Sequence, residues 1–346
     1  MMEKSSDAYV VYNDKKYFVK NGSLNLRWDV INLCDVDGLK NLTTLKRLYH
    51  SGTALRRIEN LESLKNLEEL LLYSSEYINK LENLESLTNL RVLDVSGCYI
   101  TEIEGLGTLK NLEVLRFGNF TEHGNPITEI KGLDELSKLR ELRFIENKIT
   151  EIKGLSNLKS LEILDLRSNK LEEIKGFENL PNLKELYLGD NNIIEIKGLD
   201  KLNSLQLLSI ENNKIREITG LNLLKNLESL NLGGNNITEM RGFENLGNLK
   251  KLNLVNNKIT ELKGVDNLTS LKELRLDWNY LRELSNLASL KNLEYFSLSG
   301  NRIREVNGLE NLTNLRDLFL NCNPIDKLEG LYGLKNLTYL GISDRI

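Results

Sequence analysis

Nine asparagines stand 22 residues apart along this chain: Asn147, Asn169, Asn191, Asn213, Asn235, Asn257, Asn279, Asn301 and Asn323. Each closes the pattern L-x-x-L-x-L-x-x-N, with Phe or Ile replacing a Leu in some copies, as in Leu183, Leu186, Leu188 and Asn191. The pattern continues as I-x-x-I-x-G-L-x-x-L, for instance Ile193, Ile196, Gly198, Leu199 and Leu202. Aligned on the first Leu, units begin at 45, 67, 90, 112, 139, 161, 183, 205, 227, 249, 271, 293 and 315. A degenerate unit precedes them near Ser23 and a partial one follows at Leu337. A fixed period of this length means one supersecondary unit copied along the chain. The 346 residues therefore read as one stacked array and not as the two or three globular domains their number would suggest.

Each repeat position has a physical task. The x-L-x-L-x core alternates at period two, so it is expected to form a short strand with its Leu side chains inward. The Asn stands where the chain leaves the strand. Its amide carries two donors and an acceptor, enough to satisfy backbone groups of its own turn and of an adjacent coil. The Gly, as at Gly198 or Gly330, is expected to supply a positive φ, and where it is missing the residue is Asn60, Asn83 or Asn286, the best non-Gly substitute. The following stretch, apolar at every third residue, suits one 3₁₀-like turn. A single coil cannot offset the entropy of ordering its backbone by the Leu side chains it buries, so copies must cover each other's faces.

This pattern resembles the leucine-rich repeat. Its length is similar to the short-repeat subclass that includes a regulatory subunit of type-1 protein phosphatase and the bacterial internalins. The resemblance covers about residues 23–346 and implies an α/β class fold: a right-handed, curved solenoid with a parallel sheet on the concave face and short 3₁₀ or turn segments on the convex face. The organisation expected is an N-terminal β-hairpin cap over 1–22 and the solenoid over 23–346. The hairpin is read from two β-rich runs within 8–20 that flank Asn13-Asp14-Lys15-Lys16.

Two units break the register. The one at Leu67 has 23 residues and places Ser75 in the Asn slot; the one at Leu112 has 27, its extra residues lying around 118–124. An insertion confined to one unit can mark a binding face or be a tolerated surface loop; Phe120 and His123 are its candidate contact residues. Thr53 and Cys98 also stand in Asn slots, and Cys98 is read as structural.

Little catalytic chemistry is available. There are two histidines and three cysteines (Cys34, Cys98, Cys322) without metal-ligand or disulfide spacing. His50 falls in an inward apolar slot and is expected to be packed. No phosphate-binding loop, nucleophile elbow or zinc-protease motif is present. The expectation is a protein with no enzymatic activity, no cofactor and no metal. A net charge of −4 disfavours nucleic acid as a partner. With no leader sequence and no membrane-spanning run, a cytoplasmic monomer is expected.

That leaves the concave face. From residue 139 onward the outward positions carry Glu141, Glu146, Asp165, Glu185, Asp190, Glu211, Glu273, Asp277, Asp317 and Asp344, against Arg143, Arg167, Lys251 and Arg275. Aromatics at outward positions are Tyr49, Tyr73, Tyr187, Trp278, Tyr295, Phe319 and Tyr339. Aromatics among a few charges are typical interface anchors. The candidate partner-binding set is Tyr187, Glu211, Asp277, Trp278, Tyr295, Asp317, Phe319 and Tyr339, facing a protein with a basic or mixed surface. In the phosphatase-subunit family concave acids and aromatics hold the catalytic subunit; Phe319 stands where that family places an aromatic, whereas Ser297 stands where it favours a larger ring. The expected role is an interaction scaffold, possible forms being a phosphatase-regulatory adaptor, a structural assembly subunit or an internalin-like surface binder.

Overall fold

The computed structural model describes residues 8–52, 54–118 and 124–343. The chain forms two compact units, Met1–Lys170 and Leu171–Ile346. Both are parallel β solenoids made of the same leucine-rich coil, with almost no helix.

In the first unit, β1 (Tyr9–Tyr12) pairs antiparallel with β2 (Lys15–Phe18), Tyr12 facing Lys15. Asn13 and Asp14 join them with φ of 48° and 60°, the two left-handed residues of a type I′ hairpin turn. Val10, Tyr12 and Tyr17 are buried. Val11 and Asp37 exchange backbone hydrogen bonds, which ties the hairpin to the chain that follows. Seven parallel strands come next: β3 (Ser23–Leu26), β4 (Arg47–Ser51), β5 (Glu69–Tyr73), β6 (Val92–Asp94), β7 (Val114–Arg116), β8 (Glu141–Arg143) and β9 (Ile163–Asp165). Leu24, Leu48, Leu70, Leu93, Leu115, Leu142 and Leu164 lie in one pairing row, all fully buried.

The second unit holds eight parallel strands: β10 (Glu185–Tyr187), β11 (Leu207–Ser209), β12 (Ser229–Asn231), β13 (Lys251–Asn253), β14 (Glu273–Arg275), β15 (Tyr295–Ser297), β16 (Asp317–Phe319) and β17 (Tyr339–Gly341). Its row runs Leu186, Leu208, Leu230, Leu252, Leu274, Phe296, Leu318, Leu340. The first seven are at most 1% exposed, but Leu340 is 37% exposed. Every residue of the row is a large apolar one, so the burial of each comes from the neighbouring coil and not from the strand itself.

The asparagine ladder holds coils together through backbone groups. The Asn213 side-chain amide donates to Leu188 O (3.0 Å) and Glu211 O (3.0 Å), while its Oδ1 accepts from Ile193 N (2.9 Å). Asn125 already makes the same set, with Val95 O, Phe117 O and Ile100 N. The substitutes reach the same kind of carbonyl: Cys98 Sγ donates to Leu72 O at 3.4 Å, and Ser75 Oγ lies 3.3 Å from both Gly52 O and Tyr73 O.

A second, exposed ladder was not anticipated. Asn89, Asn111, Asn226, Asn248, Asn292, Asn314 and Asn336 each donate to a carbonyl one coil back, as Asn248 does to Lys225 O at 2.9 Å. Its sequence signal is the Asn immediately before the first Leu of a unit.

Among the described residues, 3₁₀ helix is confined to Leu33–Asp35 and Leu39–Asn41. Elsewhere the apolar-every-three stretch forms successive turns: Leu158 N donates to Leu155 O and Leu161 N to Leu158 O, both at 3.0 Å. Each bond begins where the last one ends, so the bonds do not overlap into a helix. Gly198 has φ +77°, and a Cβ there would fall 2.6 Å from Ile174 O. Asn60, Asn83 and Asn286 take the same left-handed conformation. Gly330 differs from the expectation: its φ is not positive. A Cβ there would fall 2.7 Å from Val306 O, so close approach of the neighbouring chain is what requires glycine.

Candidate binding face

Side chains at the first and third positions of β10–β17 point away from the Leu row, because successive strand residues alternate faces. This outward face carries three rings in contact. Tyr295 and Phe319 have centroids 5.1 Å apart, and Phe319 and Tyr339 are 4.8 Å apart, tilted 39° and 35°. Tyr295, Asp317 and Tyr339 share one register row, and Phe319 lies in the other. The rings therefore interlock diagonally across three strands. The Arg275 guanidinium lies 5.0 Å from the Tyr295 centroid while its Nε donates to Glu273 at 2.6 Å. Tyr295 and Phe319 are half-buried by this packing, and Tyr339 is 50% exposed.

Trp278 is exposed but belongs elsewhere. It lies beyond the end of β14 with φ 57°, its N–H donates to Ser299 O at 2.8 Å, and its indole rests on Gly300. It thus stands apart from the three-ring stack. Glu146, Asp190 and Asn212 share this left-handed position before the ladder Asn (φ 56°, 55° and 53°). Glu146 and Asp190 are thus turn residues rather than outward strand residues, a correction to the sequence reading. Glycine is not required at this site, so its occupants gave no signal.

Most of the acids are bound by neighbours. Glu211 accepts from Ser209 Oγ and from Asn231 Nδ2 (3.2 Å), and lies across Gly189. Asp277 accepts from Ser297 Oγ and from Ser299 N (3.0 Å). Tyr187 Oη donates to Glu185 at 2.7 Å. The Asp317 backbone N–H donates to Glu294 O at 3.1 Å, but its carboxylate has no hydrogen bond or ion pair among the described residues.

In the first unit, Asp165 was expected on the accessible face, but it is fully buried and paired with Arg167. Glu141 accepts from Arg116 and Arg143, both at 2.7 Å. Burial pushes its carboxyl up, but hydrogen bonds and charge from Arg116 and Arg143 outweigh that and hold it below the usual carboxylate range. Asp94 goes the other way: burial raises it despite bonds from Ser96 and the Arg116 guanidinium at 3.5 Å. The acid count along the chain thus overstates the negative charge offered to a partner.

Phe120, His123 and Asp344 lie outside the described residues. Gly118 and Gly124, which bracket the insertion, both lie against the next coil. A Cβ on Gly118 would fall 2.0 Å from Ile145 O, and one on Gly124 2.0 Å from Glu146 O. His50 is fully buried with Nε2 3.0 Å from Val30 O, and burial holds its imidazole below the usual pKa. Among the described residues, no group of three or more His, Cys, Asp and Glu could hold a metal ion, and no helix is long and apolar enough to cross a membrane.

Coils of this kind, with in-register Leu rows and a buried asparagine ladder, define a repeat protein whose exterior is its working surface. The family profile described as "Leucine Rich repeats (2 copies)" matches residues 88–135, 137–179, 181–223 and 291–333, and a single-repeat profile matches 224–239. The chain belongs to the leucine-rich repeat family. Among solved structures, it is similar to an internalin (inlF) from Listeria monocytogenes, at 30% identity over 82% of this chain and 83% of that one, TM-score 0.73. It is also similar to a leucine-rich repeat protein of Leptospira interrogans, at 28% identity over 94% and 85%, TM-score 0.80. A plant peptide hormone receptor, RGFR1 in complex with RGF2, shares the fold at 24% identity over 89% and 52%, TM-score 0.69. No curated protein sequence matches the chain.

Proposed function

We propose that this chain is a non-enzymatic interaction scaffold that binds a protein partner on the outward face of β14–β17. The Tyr295–Phe319–Tyr339 stack carries the reading. It displays interlocked rings on the face opposite the apolar row of Leu274, Phe296 and Leu318, and aromatic clusters of this kind act as interface anchors. Asp317 stands in the register row between Tyr295 and Tyr339 and adds a carboxylate with no partner of its own among the described residues. The Arg275 guanidinium near Tyr295 supports recognition of a Lys or Arg by the same rings. The partner surface is therefore basic or mixed, with Asp277 and Trp278 at the margin of the site and Tyr187 and Glu211 further along the same sheet. The plant receptor binds its ligand on a scaffold of the same fold class, which supports a binding role.

In this reading the chain acts as a monomeric adaptor in the cytoplasm, where Cys34, Cys98 and Cys322, none of them in a disulfide, would stay reduced. A phosphatase-adaptor form of this reading rests on the place of Phe319. An internalin-like form rests on the likeness to the Listeria protein.

The main test is affinity capture from an extract of the source cell with the wild type and a Phe319→Ala/Tyr339→Ala variant. Proteins retained by the first and lost from the second are expected, carrying basic surfaces. The same proteins on both would overturn the reading.

A further inference from the structure

In the first unit, β2 and the chain that runs on through β3 to Asp29 form an open hollow lined by Lys15, Lys16, Phe18, Lys20, Arg27, Trp28 and Asp29 among others. Four of the charges are cations. The one lining carboxylate is already committed: Asp29 accepts from Lys15 and from Tyr17 Oη (2.8 Å). Lys20 and Arg27 are exposed and form no ion pair among the described residues. Lys16 lies 4.4 Å from the Tyr9 centroid, and Tyr9 packs on Phe18 at 5.7 Å, so cation and rings form one surface.

Trp28 is 71% exposed, yet its backbone is fixed. A Cβ on Gly52 would fall 2.4 Å from Trp28 Cα, so only glycine at 52 lets the chain lie there. Among the described residues Lys20 and Arg27 have no carboxylate partner, and the Trp28 ring is displayed beside them.

We propose that this hollow docks an acidic segment of a partner protein bearing an aromatic or long apolar residue among its carboxylates. Lys20 and Arg27 would take the carboxylates, and Trp28 and Phe18 the apolar side chain. A nucleic-acid strand fits less well. Its phosphates need a continuous basic track, whereas these cations are confined to one hollow, and exposed Asp14, Asp35 and Asp37 lie on the same hairpin and on the segment bonded to it.

The test uses the full chain and fluorescence anisotropy with three probes: a labelled peptide alternating Glu with Phe and Leu, its Lys counterpart, and oligothymidylate. The acidic peptide is expected to bind, more weakly at high salt, and the Lys peptide not. Lys20→Glu/Arg27→Glu and Trp28→Ala should each weaken binding about tenfold or more. Phe319→Ala/Tyr339→Ala should leave it unchanged, which separates this site from the face of β14–β17. The substituted side chains are exposed, and an unchanged melting temperature would show that the fold is kept; Lys20→Gln/Arg27→Gln gives a milder readout of the same effect. Equal binding by wild type and both hollow variants overturns the proposal. Tighter binding of oligothymidylate than of the acidic peptide also overturns it, in favour of a nucleic-acid surface.

Discussion

The indole of Trp278 lies against the α-carbon of Gly300, one coil further on: a Cβ there would fall 2.6 Å from Cε3 and 2.7 Å from Cδ2. Both residues hold the left-handed conformation before a ladder asparagine, with φ of 57° and 69°. A bulky residue in that region is strained, and its ring remains exposed at 48%. The contact is possible because its neighbour in the next coil has no side chain.

Gly300→Ala should therefore displace the indole and strain the turn together. The expected loss is roughly 1–3 kcal/mol, with a change in Trp278 emission. Measured in a Trp28→Phe background, so that Trp278 is the sole indole, an unshifted spectrum would show that the ring does not depend on Gly300.

Asn213→Ala tests the ladder. It leaves the Ile193 N–H buried without its partner, and the Leu188 carbonyl keeps the Asn191 amide but loses that of Asn213. At about 1–3 kcal/mol for a stranded buried group, the urea midpoint should fall below that of the wild type. A shift no larger than that of a surface Asn→Ala would deny the ladder its structural role.

His50 predicts a pH dependence. Burial holds the folded-state pKa below the unfolded value of 6.5. Below 6.5 the unfolded chain takes up a proton that the folded chain refuses, so this contribution to stability is complete above 6.5 and declines as pH falls towards the folded pKa. The slope is at most about 1.4 kcal/mol per pH unit. Urea unfolding between about pH 7.5 and about pH 5.5 should show a smaller loss for His50→Gln than for the wild type. Parallel curves would contradict it.

Asp277 and Asp317 should separate. Asp277 binds Ser297 and the Ser299 N–H, so Asp277→Ala is expected to cost about 1 kcal/mol or more of stability. Asp317→Ala should change stability by less than about 0.5 kcal/mol, while Asp317→Lys slows partner association and reduces its salt dependence. Association rates that ignore Asp317→Lys would remove that carboxylate from the proposed site.

The solenoid was legible in the sequence because inward positions obey one rule repeated every coil. Burial demands Leu at Leu186, Leu208 and Leu230 alike, and the same two backbone carbonyls and one N–H demand Asn at the ladder. Those constraints are local and periodic, so the order of residues determines them. The outward face follows no such rule. Whether Phe319 reaches Tyr295 and Tyr339, whether Trp278 finds a glycine beneath it, and whether Asp165 meets Arg167 depend on offsets between particular side chains. Several of those offsets span different coils. Spacing placed Trp278 with the rings and Asp165 in solvent, and the structure parts the first and encloses the second. Only tertiary packing decided these points, because the charge and contact of a surface residue belong to its neighbours as much as to itself.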